Sequence, residues 1–175
     1  EMKIWRQYDT MQVAYQILME AKKDKPAVIF VDSIGVGGGV ADRLRDLGWD
    51  ARDVNVAERS SNSEEYSRLR DELWWRVKEA FEDGKVSISP QCAYLYGESE
   101  SAGSELVGQL STIKYLFRDS KLVIEYKTER KRRGLDSPDR ADAIMLTFAQ
   151  NMLGLRPKAM EYARQALLPG DYTDI

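Results

Sequence analysis

The chain of 175 residues contains no histidine and a single cysteine, Cys92. These absences exclude Ser-His-Asp and Cys-His nucleophilic systems, zinc fingers and histidine-ligated metal sites. One cysteine cannot form a disulfide within the chain, which is typical of a reducing compartment. Any catalytic chemistry must therefore use carboxylates, lysine, tyrosine or hydroxyl groups.

Long apolar runs are missing as well. No run approaches the roughly 18 residues that a membrane-spanning helix needs, and no signal peptide opens the sequence. We therefore expect a protein that is neither exported nor inserted in a membrane. Its 43% hydrophobic and 31% charged residues fit one domain over 1–175, with a core over about 1–153 and a C-terminal helix and tail over about 154–175.

The pattern of apolar residues indicates an α/β fold. The apolar run Ala27–Val31 is followed at once by Asp32 and a glycine-rich loop, which predicts a buried strand that ends at Asp32. A helix over 39–47 and a second strand over 51–56 complete a βαβ unit, whose two strands should be parallel.

The remaining elements are predicted from capping and turn residues. Asp9 should cap the first helix, Asp119-Ser120 should turn a β-hairpin, and Ser137 should cap a helix in which Pro138 takes the first position. The other predicted elements are a strand over 2–7, helices over 10–23, 63–82, 104–110 and 157–168, an edge segment over 86–89, a loop over 97–104 and hairpin strands within 112–126.

Two aspartates carry most of the chemical content. Asp32 ends a strand and Asp142 lies on a late helix between two alanines, so the fold could bring both acids to one edge of the sheet. Carboxylates around Mg²⁺ or Mn²⁺ ions suffice for two-metal phosphodiester hydrolysis. Asp32 could equally be a turn residue, and Asp139 either caps its helix or assists in metal binding.

A glycine loop and a basic segment accompany the two acids. Gly35, Gly37 and Gly38 lack the lysine of a P-loop, so they form either a tight turn or a place of close approach to a phosphate. The net charge is −3, yet basic residues outnumber acidic ones over 121–140. These side chains could hold a DNA backbone or form a solvated exit from the hairpin. The candidates are Lys127, Arg130, Lys131, Arg132 and Arg133.

The order of these segments resembles the C-terminal nuclease domain of the large terminase subunit of tailed double-stranded DNA bacteriophages. The resemblance covers nearly the whole chain, and the basic run followed by Ser-Pro-Asp and Ala-Asp-Ala is its most specific part. The matching stretches are Val28–Asp32, Gly35–Leu44, Tyr66–Trp75, Glu105–Val107, Gln109–Leu110 and Lys127–Ala143.

The resemblance implies a ribonuclease H-like fold, with a mixed central sheet flanked by helices and an added hairpin. It implies an endonuclease that cuts concatemeric phage DNA during packaging with Mg²⁺ or Mn²⁺, using two ions in the complete site. Asp32 and Asp142 would hold metal, with Asp139 assisting. The implied partners are double-stranded DNA, an N-terminal ATPase domain, the portal and the small terminase subunit, in the cytoplasm of the bacterial host.

One departure from the family pattern concerns its first metal-binding aspartate. That residue stands on a strand upstream of the segments that match residues 2–23, so we expect it outside this chain and expect little cleavage without it. No Walker A sequence is present, so this chain is not the packaging ATPase. The alternatives are a non-catalytic DNA-binding or assembly module and another ribonuclease H-like enzyme of the transposase or resolvase type.

Overall fold

A computed structural model describes residues 2–93 and 104–151. It contains α-helices and short β-strands with one 3₁₀-helix at the end, which is a mixed α/β fold. The elements in chain order are α1 (Thr10–Asp24), β1 (Ile29–Asp32), α2 (Gly37–Asp46), β2 (Ala51–Val54), α3 (Leu69–Glu82), α4 (Pro90–Ala93), α5 (Glu105–Ser111), β3 (Tyr115–Arg118), β4 (Lys121–Ile124), α6 (Lys127–Arg132), α7 (Asp139–Thr147) and a 3₁₀-helix (Phe148–Asn151).

The predicted βαβ unit is confirmed in the first half of the chain. β1 and β2 are parallel, with Ile29 opposite Ala51 and Asp32 opposite Val54. Helix α2 joins them and packs against α1, and the small core between these elements includes Leu44. Asp9 caps α1 as predicted: its Oδ1 accepts from the Gln12 amide at 2.8 Å, and its own amide donates to the Gln12 side chain.

The larger core lies in the second half. Helix α3 buries Leu73, Trp74 and Val77 against α7 and the hairpin formed by β3 and β4. Asp119 and Ser120 both have positive φ, at 50° and 63°, which is typical of the two-residue turn that matches the twist of a hairpin. The hairpin prediction is confirmed, and the buried Ile124 end of β4 faces this core.

Several local predictions are wrong. Residues 2–7 form no strand, and Lys3 of this segment instead pairs with Glu20 of α1. Helix α3 begins at Leu69 rather than at 63, because Tyr66 pairs with Leu122 in an isolated β-bridge and leaves the helical conformation.

The third error is the cap of α7. Pro138 rather than Ser137 is the N-cap residue, and no side chain from that position caps the helix. The side chain of Gln109 does so from α5, where its Oε1 accepts from the amides of Arg140 and Ala141 at 3.0 and 3.1 Å. Buried amides need such an acceptor, and this one fixes α7 to α5.

The sheets are smaller than the expected mixed central sheet. Within residues 2–93 and 104–151 the strands form one parallel pair, β1 and β2, and one antiparallel pair, β3 and β4. The edge segment predicted over 86–89 is not a strand. Most of the loop over 97–104, and the helix over 157–168, lie outside the described residues. No helix in the described part of the chain has the length and apolarity to cross a membrane.

Candidate metal-binding cleft

Asp32 is positioned by the loop that follows β1. Its Oδ1 accepts a hydrogen bond from the Ile34 amide at 3.0 Å, and Gly35 has a positive φ of 86°. A Cβ on Gly37 would lie 1.8 Å from the Asp32 carbonyl oxygen, so a side chain at that position is excluded. Gly38 has open space around it. Gly35 and Gly37 therefore allow α2 to begin immediately behind Asp32.

Asp142 reaches the same place from α7. The helix packs against β1, and the Asp142 amide donates to the Pro138 carbonyl in the first turn. Asp32 and Asp142 both line one cleft of about 480 Å³. The structure thus brings together the two acids that the sequence selected, at the carboxyl end of a parallel strand where ligands bind in open α/β sheets.

The Asp142 carboxylate lacks close hydrogen-bond partners among the described residues. Its Oδ1 is buried and accepts no hydrogen bond from residues 2–93 and 104–151, and its Oδ2 lies 3.7 Å from Lys127 Nζ, which is longer than a hydrogen bond. Burial raises the pKa of the Asp142 carboxyl, Arg70 and Lys127 oppose that rise, and Asp139 and Asp32 add to it. A desolvated anion with a free buried oxygen favours a nearby cation.

Two cations border this acid. Lys127, whose side chain is 59% exposed, opens α6 at the rim of the cleft. Arg70 lies in the first turn of α3, lines the cleft and donates to the Glu125 carbonyl at 3.1 Å. Burial lowers the pKa of the Arg70 guanidinium, whereas Asp142 and other acids raise it. The cleft is therefore lined by both signs of charge.

The predicted basic segment is divided between two environments. Of its five candidates only Lys127 lines the cleft, while Lys131 and Arg132 are exposed on α6. Arg130 is 4% exposed and donates to the Asp136 carbonyl at 2.8 Å and to Thr112 Oγ1. Arg133 donates to both carboxylate oxygens of Glu125 at 2.6 and 2.7 Å. Arg130 and Arg133 thus join α6 to the base of the hairpin.

Asp139 is placed apart from the two other aspartates. It lines a separate surface depression with Lys131 and Arg140, and it does not line the cleft that Asp32 and Asp142 share. Across residues 2–93 and 104–151, no three acidic or thiol side chains converge as a metal-binding group. Asp71 also lines the cleft, but both of its oxygens accept backbone amides, so within the described residues Asp32 and Asp142 are the pair of cleft carboxylates left to bind a cation.

The charged and aromatic cleft residues that were missed from the sequence are Arg68, Arg70, Asp71 and Tyr126. Asp71 is buried, and its two oxygens accept from the amides of Arg68 and Ile124, so it joins α3 to β4. The sequence signal for these cleft residues is the Arg-x-Arg-Asp stretch over 68–71. The predicted helix over 63–82 placed that stretch in the middle of a helix, where it did not suggest a site. With α3 starting at Leu69, these residues lie at the helix N-terminus beside the cleft.

Comparison with solved structures identifies the class of fold. It is the fold of nuclease domains of phage large terminase subunits, so the resemblance predicted from the sequence is confirmed at the level of the fold. No protein-family model matches the chain, and no curated protein matches it either.

Similar structures include nuclease domains of the large terminase subunit of bacterial virus Sf6. A lysine-to-alanine mutant of its large terminase nuclease domain with manganese has a TM-score of 0.64 and 18% identity over 82% of this chain and 75% of that chain. A mutant with calcium has a TM-score of 0.63 and 19% identity, over 81% of this chain and 73% of that one. The nuclease domain without a named mutation has a TM-score of 0.58 and 20% identity, over the same shares.

Proposed function

We propose that this chain is a divalent-metal-dependent nuclease domain that cuts DNA during phage genome packaging. The observation that carries the proposal is the pair of Asp32 and Asp142 in one cleft, with a buried oxygen of Asp142 that accepts no hydrogen bond from the part of the chain that the structure describes. The Sf6 nuclease domains of the same fold contain manganese or calcium. Fold and acid pair together support metal-assisted hydrolysis.

The two aspartates suit a hard divalent cation. Asp142 offers Oδ1, and Asp32 offers Oδ2, which accepts no hydrogen bond within the described part of the chain. Carboxylate oxygens are the ligands that Mg²⁺ and Mn²⁺ prefer. Two acids fit one cation. The second ion implied by the family resemblance would need ligands beyond this pair.

The residues around the acids have separable tasks. When bound, a divalent cation would polarise a phosphoryl oxygen and lower the pKa of the attacking water. Asp32 and Asp142 hold that cation against β1 and α7. Lys127 presents its ammonium group at the rim, where it can pair with a phosphate oxygen of the substrate. Arg70, anchored on the Glu125 carbonyl, keeps positive charge beside Asp142 inside the cleft.

The wider setting is part of the same proposal. A packaging nuclease acts on double-stranded DNA in the cytoplasm of the bacterial host. It works with an ATPase domain, the portal and the small terminase subunit. A ribonuclease H-like sheet would be completed by strands beyond the two pairs in the described residues. Two functions compete with this one. A non-catalytic assembly module would not need the acid pair, and a transposase-type enzyme would use the acid pair on a different DNA substrate.

The test measures Mn²⁺ binding by electron paramagnetic resonance and nicking of supercoiled plasmid. Asp32→Asn and Asp142→Asn should each weaken Mn²⁺ binding by at least about tenfold and remove whatever nicking the parent shows. Asp46→Asn is the matched control, because it removes the same charge from an exposed residue that lines a depression beside α1, away from the cleft, and it should leave binding within about twofold.

Two outcomes would contradict the proposal. Nicking that survives both Asp32→Asn and Asp142→Asn would assign the chemistry to another site. Mn²⁺ binding equal in all four proteins would show that the acid pair holds no metal. DNA binding without metal, together with the second outcome, would favour the assembly module.

A further inference from the structure

The mouth of the cleft carries a second group of cations that the proposed chemistry does not use. Arg68 is the N-cap residue of α3, and Arg118 ends β3 at the turn of the hairpin. Their guanidinium carbons lie 5.7 and 5.8 Å from the ring centroid of the same residue, Tyr126. Two arginines from distant segments therefore meet at one aromatic ring, which lines the cleft with Arg68.

Neither guanidinium is neutralised by an acid within the described residues. Most other arginines near acids are paired, as in Arg45 with Asp53, Arg52 with Asp50 and Arg76 with Glu72. The ion pairs of residues 2–93 and 104–151 include none from Arg68 or Arg118. In a chain with net charge −3, two unneutralised cations that repel each other at one ring indicate an anionic ligand from outside.

The geometry of the arginines suits a phosphodiester backbone. Arg68 and Arg118 are exposed residues that lie where the chain changes direction. The guanidinium group of each retains planar donors that match phosphate oxygens. The face of Tyr126 attracts them and limits their freedom, so less side-chain entropy is lost when a phosphate binds. The N-terminus of α3 adds partial positive charge beside Arg68.

We propose that Arg68 and Arg118, held on Tyr126, bind backbone phosphates of double-stranded DNA next to the metal cleft. The proposal rests on the proposed function for its substrate and names a new contact surface, whereas the sequence predicted DNA contacts at Lys127, Lys131 and Arg132 together with Arg130 and Arg133. These last two are engaged with Glu125 and Thr112, so they are already occupied. The DNA track then crosses the cleft from the hairpin turn to Lys127 rather than following α6.

The experiment measures binding of a fluorescent blunt duplex in EDTA, by anisotropy at several salt concentrations. Arg68→Gln and Arg118→Gln should each weaken binding severalfold. Each should also reduce the magnitude of the negative slope of log affinity against log salt by about 1, and the double variant should reduce it by about 2. Arg43→Gln is the control, because this exposed arginine on α2 lies in a depression with α1 residues away from the cleft. It should leave affinity and slope unchanged.

Tyr126 provides a second, independent variant. Tyr126→Phe keeps an aromatic face and should bind DNA like the parent, whereas Tyr126→Leu should weaken binding as the single arginine variants do. Circular dichroism confirms that each variant is folded. An Arg68, Arg118 double variant with unchanged affinity and salt slope would overturn the proposal, as would equal binding by the Phe and Leu variants.

The readouts separate this proposal from the nuclease assignment. Binding in EDTA requires no metal, so loss of binding in the arginine variants supports the contact surface even if Mn²⁺ fails to bind Asp32 and Asp142. If the double arginine variant binds both Mn²⁺ and DNA as the parent does, the proposed DNA-contact surface is wrong and the proposed metal site is unaffected.

Discussion

Two carboxylates flank α6 in the sequence, Glu125 before it and Asp142 after it, and their surroundings differ. Glu125, 6% exposed, accepts from the Lys114 amide and from Arg133, and lies 3.6 Å from Arg130. Asp142 has one buried oxygen that accepts no hydrogen bond from any described residue, and Lys127 lies 3.7 Å from the other oxygen. The same short helix supplies cations to both acids. A carboxylate saturated by fixed donors stabilises the fold, whereas one left unsatisfied retains capacity for a ligand.

The largest expected effect comes from removing the charge of Glu125. Glu125→Gln leaves Arg130, 4% exposed, without its counter-charge, and should lower the free energy of unfolding by about 3 kcal/mol. Urea denaturation followed by tryptophan fluorescence measures this loss. Lys131→Gln removes an exposed charge from the same helix and should change stability by less than about 0.5 kcal/mol. Equal stabilities for the two variants would refute the structural role of Glu125.

Local signals made the acid pair predictable from the sequence. The apolar run before Asp32, the glycines after it and the helix around Asp142 are determined by neighbours in the chain. The turn at Asp119 and Ser120 is equally local. A single sequence therefore sufficed to locate both acids and the βαβ unit on which one of them stands.

Nonlocal contacts account for what the sequence did not predict. Arg130 and Arg133 belong to a basic run that predicts solvated side chains, yet Arg130 is buried and donates to Thr112, and Arg133 donates to Glu125. The start of α3 is determined by pairing of Tyr66 with a distant strand. Such partners leave no periodic pattern around the residue itself, so the cleft arginines Arg68 and Arg70 had to be found in the structure.

The second prediction concerns Asp142, whose removal should stabilise the metal-free protein. Because burial raises the pKa of this carboxyl, the folded chain binds its proton more tightly than the unfolded chain does. The stability that Asp142 contributes is thus fully present below its ordinary pKa of 3.8 and is lost as pH rises through the raised value. Asp142→Asn should therefore melt at a higher temperature than the parent at neutral pH.

Thermal unfolding in EDTA across pH checks this prediction. The advantage of Asp142→Asn should shrink as pH falls and vanish below the ordinary carboxyl pKa. Added Mn²⁺ should raise the melting temperature of the parent and not of the variant, because a ligand stabilises only the state that binds it. If Asp142→Asn melts below the parent at neutral pH in EDTA, the Asp142 carboxylate stabilises the fold through its neighbours, as the hydrogen-bonded carboxylate of Glu125 does.

The smallest effect on stability is expected at Lys127. Its side chain is 59% exposed and lies 3.7 Å from Asp142, so Lys127→Gln should change the free energy of unfolding by less than about 0.5 kcal/mol. The charge of Lys127 lowers the pKa of Asp142, so its removal should move the Asp142 titration to higher pH. Carboxyl carbon NMR of Asp142 measures that midpoint, with Lys22→Gln on α1 as the matched control. If the Asp142 titration midpoint is the same in Lys127→Gln and in the parent, Lys127 does not act on this carboxylate. The difference between Asp142 and Glu125 would then depend on their burial alone.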